Sequence, residues 1–270
     1  MNNMDKEVRK MEGQMTELKY SAEEILRAAI DVGEQILKNG GEIHRVEDTI
    51  ERICKAYDAQ EVEVFSITTL IVASLRMPDG DYSHQIRKID KTKNNLARVE
   101  KMNEISRKLC NKTLEISELR EKIDSIEKEK TYPVILYYIA AMLGAGSFTL
   151  LFKGDIMDAL CASIAGLLIT FADRHIPKFV NPLIATVINS AIGGLSVIAL
   201  VKLGLGHNMD LIMIGTVMLL IPGLALGNSV RDLMSGDTIS GAMRLIQSLL
   251  VALMIAAGYA VAIFVMGGVS

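Results

Sequence analysis

The sequence predicts an α-helical integral membrane protein, with five transmembrane helices preceded by a small cytoplasmic α+β domain. Three observations carry this prediction. Residues 131–270 hold only six basic and six acidic residues, leaving 23 and 26 for the first 130. Every glutamate lies at or before Glu129. From Pro133 onward the apolar runs approach the roughly 20 residues that a helix needs to cross a bilayer. A single soluble globule is therefore excluded. The chain divides into a polar N-terminal tail (1–20), an α+β domain (21–130) and a transmembrane domain (131–270).

Within the polar half, Ser21-Ala-Glu-Glu24 reads as a capping box opening a helix that runs to about Lys38 and stops at Asn39-Gly40-Gly41. A second helix, Glu42 to Tyr57, places Ile43, Val46, Ile50, Ile53 and Tyr57 on one face. Glu61–Ser66 and Leu70–Met77 are rich in β-branched residues, and Pro78-Asp79-Gly80-Asp81 is a strong turn signal. Tyr82–Ile89 returns as a hairpin strand. Helices over Asn94–Leu109 and Thr113–Lys130 complete the domain, the latter with Leu119, Ile123 and Ile126 as a narrow apolar stripe.

Five spans follow: Pro133–Phe152, Ile156–Ala172, Phe179–Val201, Leu211–Leu226 and Leu245–Gly268. With the first domain inside, the inner flanks carry Lys128, Lys130, Arg174, Lys178, Arg231 and Arg244, against Lys153 and Lys202 outside. Positive charge on short loops stays on the cytoplasmic side, which places the N-terminus inside and Ser270 outside. Met1 to Tyr20 has no apolar h-region, so no cleavable signal peptide is expected.

The net charge of −3 argues against nucleic-acid binding, which needs a basic face. Cys54, Cys110 and Cys161 are odd in number and widely spaced, so no disulfide framework is expected. His44, Arg45, Glu47 and Asp48 form a polar group after Gly40-Gly41, without metal-ligand spacing. No Walker, dinucleotide or nucleophile-elbow motif appears, so neither enzyme chemistry nor a cofactor is expected.

The candidate site is the stretch from Leu219 to Arg244. Pro222 removes a backbone N–H and displaces the carbonyl four residues earlier, so Pro222-Gly223 inside a span predicts a broken or kinked helix. Secondary transporters place substrate and ion sites at such breaks. A simple packing kink is the alternative. Asn228, Arg231, Asp232 and Asp237 are dense polar groups just downstream. Arg231 can clamp a carboxylate bidentately; it can equally pair with Asp232 or Asp237, or mark the membrane boundary. A carboxyl in a dry site titrates near neutral pH, so either Asp is a candidate proton carrier. Asn189, with Thr186 and Ser190, adds polar groups to the third span, where interhelical hydrogen bonding is the plainer role.

Gly40-Gly41-Glu-Ile-His-Arg-Val-Glu-Asp48, the hairpin, and above all Pro222-Gly223…Asn228…Arg231-Asp232…Ser235-Gly236-Asp237…Ser240-Gly241…Arg244 resemble the threonine/serine exporter family over roughly Ile25 to Gly268. The resemblance implies an inner-membrane exporter of small amino acids driven by the proton motive force. It also implies, in split members, a larger subunit like this chain working with a small five-span membrane partner; split relatives are associated with dicarboxylates such as succinate. Homo-oligomerisation is a second way to complete a five-span unit. A membrane-anchored sensor or assembly protein is the competing expectation, and an intramembrane hydrolase ranks last, because His175 and His207 both lie near loop ends.

Overall fold

The structure is a computed structural model that describes residues 20–90, 92–129, 132–176 and 180–267. The tail before Tyr20, and the expectations placed on Lys130, Lys178, Phe179 and Gly268, lie outside the described residues. Two compact units are present. Among the described residues, one runs from Tyr20 to Glu129 and takes in Ser235–Ser240, and the other holds those from Tyr132 to Met234 and from Gly241 to Gly267.

In the first unit, α1 (Ala22–Lys38) opens as the sequence predicts. The Glu24 N–H donates to Ser21 Oγ at 3.2 Å, and the Ser21 N–H donates back to the Glu24 carboxylate at 3.0 Å. A third acceptor, Asp81 in the hairpin turn, takes the Ala22 N–H at 2.8 Å. Helix α2 (Ile43–Ala56) follows. Its periodic face (Ile43, Val46, Ile50, Ile53) is fully buried, each such side chain contributing about 1.5–3 kcal/mol.

The strands β1 (Glu61–Ile67), β2 (Leu70–Arg76) and β3 (Tyr82–Lys88) form an antiparallel sheet in the order 1-2-3. Ser66 lies opposite Ile71, and Leu75 opposite Ser83. One face buries Ile71, Ala73 and Leu75, while Phe65, Tyr82 and Ile86 on β1 and β3 stay exposed. Helices α3 (Leu96–Cys110) and α4 (Ile116–Lys128) finish the unit. The apolar stripe of α4 is spent on the unit's own core, where Leu119 and Ile123 are buried and Ile126 partly so.

The second unit contains α5 (Val134–Leu151), α6 (Ile156–His175), α7 (Pro182–Lys202), α8 (Met209–Leu220), α9 (Gly223–Met234) and α10 (Thr238–Gly267), except that the first turn of α10 groups with the first unit. Four of these helices are long and apolar enough to cross a membrane, and α8 with α9 makes a fifth span if the bent pair counts as one. Two spans differ from the sequence expectation. The fourth does not end at Leu226 but continues, after a break, to Met234. The fifth begins at Thr238 rather than Leu245, because Thr238, Ser240 and Arg244 extend the helix beyond its apolar run.

Backbones in this unit approach closely at small residues, the means by which helices associate where lipid offers no hydrophobic drive. A Cβ on Gly215 of α8 would lie 2.7 Å from the Ala145 carbonyl of α5 and closer still to Thr149 Oγ1. One on Gly258 of α10 would lie 2.5 Å from the Val187 carbonyl of α7 and closer still to Ser190 Oγ. Between these crossings the Tyr259 hydroxyl of α10 shares a 2.8 Å hydrogen bond with Thr216 Oγ1 of α8, and both side chains are buried. The outward faces of α5 and α10, including Ile135, Leu143, Leu253 and Phe264, remain apolar and exposed.

Candidate functional site

The fourth span breaks where proline chemistry requires it. Ile221, the residue before Pro222, sits at φ −61°, ψ 129°. This is the extended conformation that the proline ring imposes on its predecessor. The two half-helices meet at 59°. The Ile221 N–H still closes α8 onto Val217, the Gly223 N–H turns back to the Ile221 carbonyl at 2.8 Å, and the Leu226 N–H starts α9 from the Pro222 carbonyl. Pro222 is half-buried and Gly223 exposed; a Cβ on Gly223 would meet nothing within 4 Å.

Asn228, Arg231 and Asp232 all lie on α9 rather than in a loop. Asn228 is half-buried and Arg231 exposed. Asp232 is 1 % exposed and pairs with Arg244 of α10, with Nη1 3.4 Å from Oδ2. The chain reverses at Gly236, which has φ +95°, and brings α10 back against α9. The approach is tight at Gly241, whose Cβ would lie 2.7 Å from Leu233 Cγ and 2.9 Å from the Ser229 carbonyl.

Asp237 belongs to the first unit with the rest of Ser235–Ser240. Its Oδ2 is buried and makes no hydrogen bond among the described residues. Burial, opposed by the hydrogen bond from the Ser66 N–H, raises the pKa of Glu47 above the usual carboxylate value, and the charge of Asp237 raises it further. The Ser66 N–H donates to Glu47 at 2.6 Å. Glu47 is thus a neighbour of Asp237 that the sequence offered only as part of a polar group.

Asn189 lies on α7, 4 % exposed, and its Nδ2 donates to Asp173 Oδ1 of α6 at 2.9 Å. The amide oxygen is buried without a hydrogen bond among the described residues. Asp173 lies in the last turn of α6, and Arg244, read from the sequence as an inner-flank charge, lies in the second turn of α10.

A separate cluster joins Asp155, Asp158 and His207, whose ligand atoms lie within 4.8 Å of one another. Asp155 and Asp158 form a capping box at the start of α6. Buried Asp158 is saturated with donors. Its Oδ1 accepts the His207 and Asn208 N–H groups at 2.7 and 3.0 Å, and its Oδ2 accepts Asn208 Nδ2 at 2.9 Å and the Asp155 N–H at 3.3 Å. With its lone pairs so occupied, Asp158 serves to hold the loop before α8 rather than to ligate a metal. His207 Nδ1 meets Asp155 Oδ2 at 2.5 Å on the exposed side.

A family model described as "Putative threonine/serine exporter" matches residues 27–266. No curated protein and no solved structure gives a significant match.

Proposed function

We propose that this chain, which belongs to the threonine/serine exporter family, carries a substrate path at its broken fourth span and moves small amino acids such as threonine or serine, or small carboxylates such as succinate, out of the cell. The observation that carries this reading is the 59° break between α8 and α9, followed within α9 by a buried carboxylate, Asp232. A broken helix in a membrane exposes backbone polar groups that only protein or a water-filled cavity can satisfy.

In this reading Pro222 and Gly223 open the helix, and Asn228 and the guanidinium of Arg231 receive the substrate carboxylate. Asp232, held beside Arg244, and Asp237, whose Oδ2 makes no hydrogen bond among the described residues, exchange the coupling proton. Asn189 supplies a further polar group on α7. The excess of Lys and Arg on alternate loops supports an inner-membrane orientation with the first unit cytoplasmic. The path is completed by a small five-span partner subunit or by a second copy of the chain, as the resemblance to split members of the family suggests.

Counterflow in proteoliposomes tests the reading. Vesicles loaded with unlabelled L-threonine, L-serine or succinate are expected to take up the labelled solute, with the chain alone or with the partner subunit present, and to lose this exchange in Arg231→Ala. Absence of exchange under both conditions, with folding and orientation verified, contradicts the reading and favours a membrane-anchored sensor or assembly protein.

A further inference from the structure

The soluble unit carries a cavity of about 350 Å³ that the export reading does not use. This is within the range of small-molecule sites, about 300–1,000 Å³. Its polar wall is Tyr20, Tyr57, Asp58, Lys112 and Glu115, over an apolar floor of Ile25 and Leu114. Four helix ends meet here. Tyr57 is the C-cap of α2, and Lys112 follows the C-cap of α3; Tyr20 immediately precedes the N-cap of α1, and Glu115 is the N-cap of α4. Two partial negative and two partial positive helix poles therefore border one small space.

The side chains reinforce that pattern. Asp58 and Lys112 both occupy the left-handed position after a helix, at φ +65° and +53°, where glycine is the usual residue. In each case the N–H two residues past the C-cap reaches back into the helix, Ala59 to Cys54 at 3.3 Å and Thr113 to Lys108 at 2.9 Å. Charged side chains are thereby aimed from both caps into one place. Lys112 Nζ lies 3.5 Å from Asp58 Oδ2 and 5.7 Å from the centre of the Tyr57 ring. The Glu115 carboxylate makes no cap hydrogen bond to its own helix and accepts from the Tyr20 hydroxyl instead. Tyr20 and Tyr57 stand edge to face with centres 5.9 Å apart.

We propose that this cavity binds a small zwitterionic α-amino acid. The ligand carboxylate meets Lys112 and the amide pole of α4, whose N-cap side chain makes no cap hydrogen bond. Its ammonium meets Glu115 beside the Tyr20 and Tyr57 rings, where a carboxylate and aromatic faces both favour a cation. Asp58 holds Lys112 in place, and the Ile25–Leu114 floor admits a short side chain. The assignment stands on the cavity's own charges and does not rest on the export reading.

Hydrogen–deuterium exchange on the full chain in detergent, with L-threonine, L-serine or L-threoninamide as probe, tests it. L-threonine or L-serine is expected to slow exchange around residues 56–60 and 110–117. Lys112→Met and Glu115→Gln should each raise the half-saturating concentration by about tenfold or more, equivalent to about 1.4 kcal/mol. Threoninamide, lacking the carboxylate, should protect about tenfold less well in the unaltered chain and no worse than threonine in Lys112→Met. Unchanged exchange elsewhere in each variant verifies its fold. The proposal is overturned if these segments show no protection by millimolar threonine or serine, or if protection survives both substitutions. Protection confined to residues around Pro222 overturns it too, while leaving the export path standing.

Discussion

The carboxylate of Asp232 lies 3.4 Å from the guanidinium of Arg244, both side chains withdrawn from solvent. The half-helix after the break is thus tied electrostatically to the helix that follows it. Removing one member of such a pair leaves a desolvated charge behind. Arg244→Ala should cost about 3–5 kcal/mol, seen as an earlier thermal melt in detergent. Arg231→Ala, at an exposed position, should cost no more than about 1 kcal/mol while losing exchange. Equal melting of the two variants would contradict the pairing.

Pro222 causes the break, so Pro222→Ala should let α8 and α9 join. Spin labels at the exposed Ile214 and Val230 positions are expected to move apart toward the roughly 24 Å of a continuous helix over that interval. The fold should survive, because alanine restores an N–H and removes a ring clash. Exchange should fall at least tenfold, a barrier increase of about 1.4 kcal/mol. An unchanged label distance would show that neighbouring helices, not the proline, impose the bend.

Glycines of this unit divide into those held by a neighbour and those left open. Gly258→Ala drives a methyl group against the Val187 carbonyl and Ser190 hydroxyl of α7 and should destabilise by about 1–3 kcal/mol. Gly227→Ala meets nothing within 4 Å and should stabilise α9 by up to about 1 kcal/mol. Melting of the two variants side by side checks the sign of each.

The Asp155–His207 pair makes a pH prediction. The hydrogen bond from the Asp158 N–H, then that from His207, lowers the pKa of Asp155, and the carboxylate of Asp155 raises that of His207. The histidine therefore contributes stability that is complete below its unfolded value near 6.5 and is lost as pH rises through its higher folded value. Asp155 contributes stability present above 3.8 and lost as pH falls through its lower folded value. His207→Gln should flatten the upper limb of the melting-temperature profile and weaken, without abolishing, the acid limb, where the Asp158 N–H still favours the Asp155 carboxylate. An unaltered upper limb would contradict the pairing.

Local chemistry made much of this structure readable from the residues. The Ser21–Glu24 capping box, the Pro78–Asp81 turn and the Pro222 break each depend on neighbours within a few positions. Long apolar runs likewise fixed the spans to within a few residues, except where α10 begins in polar residues that hydropathy assigns to a loop. Pairings that depend on chain reversal were not legible. Asp232 meets Arg244 only because the turn at Gly236 folds α10 back, and Asp158 meets His207 across 49 positions. The Asp155–Asp158 spacing did carry its own capping-box signal, which a reading centred on membrane charge passes over. Glu47 and Asp237, far apart in sequence, belong to one unit for reasons that only the tertiary fold supplies.

Thiol accessibility shows whether substrate passes beside the α8–α9 break. In a chain whose native cysteines are replaced by serine, single cysteines at Ile221, Gly223, Leu224 and Asn228 are treated with a membrane-impermeant reagent, with and without threonine. These positions are expected to react, with threonine slowing the reaction severalfold, while a cysteine at Leu253, on the outward apolar face of α10, does not react. Absence of reaction at all four positions, or rates that threonine leaves unchanged, would contradict a substrate path at the broken span.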